Sequence, residues 1–265
     1  MIHGIKRSLY KLLGLNRYLS LIQRLYLLSF RMGWLKKNKS YQWHYFVKNL
    51  VAADDVVVDI GANLGYFAAA FLPALSDEGH LYCVEPVAPY RKQLEKITGK
   101  RKNTTVFPFA LGSENKEKVH IGMPPALHHL GYLRHGTVAV SEKVTGTGDK
   151  FSFEAPLRHA GEAFTHLDRI DYIKCDIEGY ETVVFPAMKE IFEKHQPLVQ
   201  LETWGKQLPV MLRFFSDLGY DACQLEEKML VSCTTLPEDV IGSSDILFIP
   251  PVRRDRVSKW LKKKD

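Results

Sequence analysis

Apolar residues over positions 5–31 recur at the spacing of one helical face, which predicts a long helix there. Gly14-Leu15-Asn16 is placed to interrupt it. Arg17, Arg24 and Arg31 fall seven apart and so share one side. From residue 54 the pattern changes. Val56-Val57-Val58-Asp59-Ile60 is an apolar run suited to a central parallel strand buried on both faces. Further strands are expected at 81–84, 104–107, 171–175, 197–201 and 245–249. Helices are expected at 64–75, 87–98, 181–194 and 206–218, with Pro186 inside the third. Residues 113–165 break this rhythm. Val119-His120-Ile121 and the Thr137–Val140 stretch look like short strands among glycines, prolines and histidines, the mark of an insertion covering a site. The alternation predicts an α/β domain whose mostly parallel sheet carries helices on both faces, behind a helical extension.

Composition adds little: 46% hydrophobic and 25% charged residues are ordinary for a globular chain. No stretch reaches the roughly 18 apolar residues of a spanning helix. Cys83, Cys175, Cys223 and Cys233 form no C-x-x-C pair, which reads as reduced, buried thiols of a cytoplasmic protein. Charge changes the picture more. Residues 1–53 hold ten Lys or Arg and no acid, residues 250–265 hold seven basic and two acidic residues, and the stretch between is net −9. This divides the chain into a basic amphipathic extension (1–50), a central α/β domain (51–250, with 113–165 as its covering segment) and a basic tail (251–265). An acidic core argues against a nucleic-acid face and points to the ends as contacts with anionic surfaces. A basic amphipathic helix fits peripheral contact with a membrane. It equally fits a cap on the central domain or a homodimer contact, and a cleaved transit peptide is a third reading.

Three segments carry candidate chemistry. Asp59-Ile60-Gly61-Ala62-Asn63-Leu64-Gly65-Tyr66-Phe67 follows the first strand and opens a helix. Its glycines let backbone approach a ligand closely, and Asp59 is placed to accept from an ammonium group. The spacing is G-x-x-x-G, so the dinucleotide fingerprint G-x-G-x-x-G is not matched. Val84-Glu85-Pro86 ends the second strand, 20 residues beyond Gly65, where an acid accepts from both ribose hydroxyls. Ile173-Lys174-Cys175-Asp176-Ile177-Glu178-Gly179-Tyr180-Glu181 ends the fourth. Strand alternation puts Lys174 and Asp176 on one face, at the rim where open sheets bind ligands. The plain alternative is that Lys174 neutralises Asp176 and Glu181 caps the next helix.

These segments, in this order, resemble the FkbM family of S-adenosylmethionine-dependent methyltransferases. The likeness spans about residues 54–249 and extends to Phe109-Ala110-Leu111-Gly112 and Leu218-Gly219-Tyr220. It implies a Rossmann-like class I methyltransferase fold with a seven-stranded sheet, and S-adenosyl-L-methionine as cofactor. By resemblance, Asp59, Gly61, Asn63, Gly65 and Phe67 match the segment that cradles the methionine portion. Glu85 matches the ribose-binding acid, and Phe109 and Ala110 lie where adenine sits. Asp176 matches the residue beside the transferable methyl, and Glu178 stands near the substrate. Two departures are visible. The Leu-Asp pair expected upstream of the fourth strand reads Leu157-Arg158-His159, with Leu167-Asp168 nearer the strand. The Glu-x-His after the fifth strand reads Glu202-Thr203-Trp204, so a base drawn from that histidine is missing.

The resemblance implies methyl transfer to a hydroxyl of a sugar, glycan or other small-molecule acceptor. Asp176, with Glu178 beside it, or a histidine of the insertion (His128, His129, His135 or His166) is the candidate base. No metal is expected, although Asp176, Glu178 and Glu202 have oxygen ligands that suit magnesium. Two rivals stand beside this: a nucleotide-dependent oxidoreductase on the same kind of sheet, and a non-catalytic, membrane-associated protein that keeps only the cofactor fold.

Overall fold

Branched apolar residues dominate the strand runs, and in a parallel sheet such runs are buried from both sides. In the computed structural model, which describes residues 2–133, 137, 139–141, 151–203, 205–233 and 244–262, they build a sheet of that kind. Its strands are β1 (Val56–Ile60), β2 (His80–Val84) and β3 (Thr104–Phe107), then, after a smaller sheet, β8 (Tyr172–Cys175), β9 (Leu198–Thr203), β10 (Asp221–Glu226), β11 (Met229–Ser232) and β12 (Ser244–Ile249). Their order is β11-β10-β12-β9-β8-β1-β2-β3. The pairings from β9 through to β3 are parallel, and β12, β10 and β11 join antiparallel. The described sheet is therefore mostly parallel, with β11 as an eighth strand beyond the seven expected.

Alternation along β1 sends Val57 into one core and Val58 and Ile60 into the other, so the strand is covered on both faces. One face holds α5 (Ala160–Ala163), α6 (Glu181–Ala187), α7 (Lys189–His195) and α8 (Gln207–Asp217). The other holds α2 (Gln42–Phe46), α3 (Ala68–Phe71) and α9 (Arg254–Val257), with α4 (Ala88–Thr98) inserting Leu94. The helix expected over 181–194 is two helices. Pro186 has no N–H to give, and the chain restarts after Met188. Regular helix within 64–75 is limited to α3.

The insertion joins β4 (Ala110–Gly112), just before it, in a second sheet with its own β5 (Lys116–Gly122), β6 (Ala139–Ser141) and β7 (Ser152–His159), in the order β4-β7-β5-β6. A third core joins this sheet to α1 (Ile2–Arg31) through Tyr18, Leu19, Ile121, Tyr132, Phe151 and Leu157. Gly14 (φ +69°, ψ 168°) breaks the helical backbone of α1 where the sequence places an interruption. Beyond the break, Gln23 is buried and donates 2.7 Å bonds to the carbonyls of Leu64 and Gln93, tying α1 to the turn after β1 and to α4.

The β10–β11 hairpin lies outside the sequence reading. Its two turn residues, Glu227 (φ +47°) and Lys228 (φ +74°), are left-handed, as twisted two-residue hairpins require, but neither is the glycine or asparagine that marks such turns. Lys228 is exposed. Lys228→Gly is expected to stabilise the protein by up to about 1 kcal/mol by relieving that backbone, read as a higher urea midpoint with unchanged slope.

Candidate active site

Three strand ends meet at the centre of the sheet's carboxyl edge. Asp59 of β1 pairs laterally with Lys174 of β8, and Lys174 with Gln200 of β9; further out, Glu202 pairs with Asp245 of β12. The turn after β1 is drawn tight. Gly61 and Ala62 donate to the carbonyl of Val84, and Asp176 donates its N–H to Ile60. Gly61 has φ +79°, and a Cβ there would lie 1.9 Å from the carbonyl oxygen of Asp176, so no larger residue fits. Asn63 is also left-handed (φ +51°), and its side-chain oxygen accepts from the N–H of Leu64.

Glu85 fixes this turn from the next strand. One carboxylate oxygen accepts from Asn63 N at 2.7 Å and the other from Val87 N at 2.8 Å. Burial pushes its carboxyl up to about 7, against the pull of these two N–H groups and of Arg91. A carboxylate has further lone pairs, so two donors leave it able to accept from a ligand.

Two cavities open on either side of this turn and share Gly61, Asn63 and Asp176. The first, about 630 Å³, is bounded by Glu85, Val87, Tyr90, Ala110, Leu111, Ile177, Glu178 and Tyr180, with Ile121 and Val140 reaching in from the insertion. Its mostly apolar lining, with a few polar groups facing inward, suits a small ligand. Tyr90 lines it with a buried hydroxyl that has no hydrogen-bond partner among the described residues. The second, about 690 Å³, is polar: Asp59, Lys174, Asp176, Glu202 and Asp245 from the sheet meet Ser40, Tyr41 and His44 from the N-terminal segment, with Tyr66 and Phe67.

Its electrostatics turn on Lys174. This side chain is 1% exposed and its Nζ stands 2.8 Å from Asp245 Oδ1 and 4.9 Å from the centre of the Phe67 ring. Burial opposes the charge, but Asp245, Asp176 and Glu202 outweigh it and hold the ammonium above the ordinary lysine range. The carboxyls shift the other way. Burial lifts Asp59 to about 7 and Asp176 to about 6, in both cases against Lys174. Burial, then Asp176, lifts Glu202 to about 8, and the two carboxyls share a hydrogen bond. Asp59 Oδ2 is buried without a hydrogen-bond partner among the described residues. His44 stacks on Phe67 with ring centres 4.1 Å apart. Burial pushes His44 down to about 4, so it is neutral at ordinary pH.

The sequence-based candidates divide accordingly. Asp59, Gly61, Asn63, Phe67, Glu85, Ala110, Asp176 and Glu178 all border one cavity or both. Gly65 borders neither: it is left-handed, and a Cβ there would meet Ile97 and Leu94 of α4, so its place is helix packing. Phe109 stacks on Phe107 instead of lining a cavity. Of the insertion histidines, His128 is bonded to the carbonyl of Met123, His129 to that of Ala126, and His166 packs edge-on to Tyr82 and Phe107. None of these three lines a cavity, and His135 lies outside the described residues. His44, Tyr90 and Asp245 were not singled out from sequence. No local motif marks them, because the fold alone brings them to the rim. Among the described residues no group of three or more His, Cys, Asp or Glu has the arrangement of a metal site, Asp176, Glu178 and Glu202 included.

Residues 59–222 match the family model described as the methyltransferase FkbM domain, more than half of the chain. The chain belongs to the FkbM methyltransferase family. S-adenosylmethionine is the methyl donor of this family and the cofactor of this protein. No curated protein matches the chain. Among solved structures, an FkbM methyltransferase from Methylobacillus flagellatus KT aligns with TM-score 0.50 and 15% identity over 78% of this chain and 47% of that one. This chain thus spans about half the length of that neighbour. Lower similarity is found to Aeropyrum pernix fibrillarin in complex with natively bound S-adenosyl-L-methionine (TM-score 0.44, 10% identity, 78% and 72% of the two chains) and to a putative rRNA-methylase from Clostridium thermocellum (0.47, 11%, 80% and 94%). At such identities the likeness concerns the fold alone.

The residues of this FkbM-family site fit the donor. The backbone at Gly61 is open to close approach, Glu85 has lone pairs left, and Asp59 and Tyr90 carry unspent polar atoms. The raised Glu202 carboxyl gives a test of the electrostatics. In the folded protein it keeps its proton up to about pH 8, whereas the unfolded chain loses it near the ordinary glutamate value. Stability from this group is therefore full at low pH and lost as pH rises through about 8. Glu202→Gln removes that dependence. Its melting temperature relative to the native protein is expected to climb steadily from pH 5 to pH 8, as measured by calorimetry; a constant difference contradicts the assignment.

Proposed function

We propose that this FkbM-family protein is an O-methyltransferase acting on a hydroxyl of a sugar, glycan or other small molecule. The supporting observation is the pair of cavities with a common wall at Gly61, Asn63 and Asp176. In this reading the apolar cavity takes the nucleoside, with Glu85 at its ribose hydroxyls and Ala110 and Leu111 beside its base. The polar cavity takes the acceptor, and Asp59 meets the ammonium of the donor's amino-acid end. The donor supplies an electrophilic methyl on a sulfonium, so the protein's work is positioning and proton removal.

Polar side chains ringing the second cavity suit an acceptor rich in hydroxyls. Between about pH 6 and pH 8 Asp176 is ionised while Glu202 retains its proton, so Asp176 Oδ is the atom that takes the acceptor's proton. Lys174 keeps that carboxylate charged in a buried place. His44, neutral and with its Nδ1 buried and unbonded among the described residues, is a poor base and serves to orient the acceptor. Glu178 lines the first cavity, two residues from the shared wall at Asp176, and in this reading stands near the acceptor.

Two variants separate donor binding from proton removal. Asp176→Asn is expected to lower kcat about 10²–10⁴-fold while binding S-adenosylmethionine within a few-fold of the native protein by calorimetry. Glu85→Gln is expected to weaken that binding about 10- to 100-fold, the worth of a charge-assisted hydrogen bond. Native activity is expected to fall as pH drops through about 6, where Asp176 becomes protonated. The assay is S-adenosylhomocysteine release against a panel of glycans and small-molecule alcohols, with the methylated atom located by NMR. Full turnover by Asp176→Asn, or a methyl group found on nitrogen, overturns the reading.

A further inference from the structure

The helix α1 has two very different sides. After the break at Gly14 its inner side is built into the protein: Tyr18, Leu19, Gln23 and Tyr26 are all buried. Its outer side is apolar where a solvated helix would be polar. Leu12 is 80% exposed and Trp34, in the turn that follows the helix, 65%. Ile5, Leu25, Leu28 and Met32 are each more than half exposed as well. Of the eight large hydrophobic residues exposed among the described residues, six lie within positions 5–34, so the apolar surface is concentrated on this helix and the turn after it.

Charge accompanies it. At 100° per residue, Arg17, Arg24 and Arg31 form one exposed row, and Leu25, Leu28 and Met32 lie directly beside it. Lys36 and Lys37 follow Trp34, and residues 1–53 contain no acid at all. No helix among the described residues is long and apolar enough to cross a bilayer. An exposed apolar row flanked by cations, with a tryptophan at its end, is the surface that lies in a headgroup layer, apolar residues dipping in and arginines at the phosphates.

We infer that the outer face of α1, together with Trp34, docks on an anionic lipid surface. A second copy of the chain suits this face less well. A symmetric pairing along it would set one arginine row against another, with no acidic residue in the segment to offset them. The inference does not depend on the acceptor assignment, because none of these side chains lines either cavity.

The test is vesicle co-sedimentation of the full chain. One set of vesicles is phosphatidylcholine alone and the other contains about 30% phosphatidylserine. Binding is expected to the second set only, and to weaken when salt rises from about 0.1 M to about 0.5 M. Two triple variants dissect the face: Arg17→Glu with Arg24→Glu and Arg31→Glu, and Leu25→Gln with Leu28→Gln and Met32→Gln. All six positions are exposed, so both proteins should melt like the native one. Each is expected to lose about tenfold or more in binding. Equal partitioning onto both vesicle types, or binding that neither variant changes, overturns the inference. So does self-association in sedimentation that the leucine variant abolishes while native protein ignores vesicles, which would give the face to a second copy.

Discussion

The ammonium of Lys174 is the interaction on which the rest of the site depends. Four carboxyl groups, Asp59, Asp176, Glu202 and Asp245, border one cavity at the end of the sheet, and burial pushes the first three toward the neutral form. A single cation among them divides the set. Asp245, in contact with it, is neutralised as an ion pair, and Asp176 keeps a moderate carboxyl that ionises near pH 6. Glu202 is left holding a proton. Removing the cation would leave several acids buried without compensation, a far greater loss than the worth of the ion pair itself. The site is thus an electrostatic unit whose members set one another's protonation.

A second constraint sits beside it in the backbone. The turn Gly61–Asn63 has two left-handed residues, with Gly61 packed against the backbone of Asp176 and bonded to Val84, and Asn63 bonded to Glu85. That geometry makes the common wall of the two cavities thin, because a side chain at position 61 has nowhere to go. Glu85 acts in two directions at once. One oxygen holds the turn through Asn63 N and the other accepts from Val87 N, and the remaining lone pairs face the cavity, so the part of the site that would grip a ribose is also the part that shapes the loop.

What the sequence made legible follows from locality. Asp59, Glu85 and Asp176 stand at the ends of apolar strands, and a strand end in a parallel sheet is a ligand rim wherever the chain is read. Pairings of low sequence signal were missed for equally physical reasons. The β10–β11 hairpin turns on Glu227 and Lys228, residues that carry no turn signature. The histidines of the insertion drew attention by type, yet among the described ones the nitrogens of His128 and His129 are occupied by nearby carbonyls and the ring of His166 packs on neighbouring aromatics. His44 is the reverse case. Its meaning comes from Phe67, Lys174 and Asp245, the farthest of them two hundred residues away, and nothing in Gln42-Trp43-His44-Tyr45 announces it. Phe109 illustrates a limit of transferring a role by motif: its neighbour Ala110 reaches the cavity, while Phe109 itself stacks outside it on Phe107.

The N-terminal segment connects these levels. Its charge and amphipathic spacing allowed both a membrane-facing helix and a cap on the domain; Gln23 bonds the carbonyl of Leu64, the residue after Asn63, and His44 with Tyr41 walls the polar cavity. Two buried hydrogen bonds from one side chain resist rotation of the helix about its own axis, since any turn would strand the carbonyls of Leu64 and Gln93 without their donor. Rotation about that axis is therefore fixed by the same turn that forms the common wall of the two cavities. The arginine and leucine rows on the outer side inherit the fixed orientation, and whatever surface they rest on is held at a set angle to the two cavities. A helix anchored this way can couple docking to acceptor presentation without any motion inside the site, because the geometry is already built into the packing of α1 against the catalytic domain.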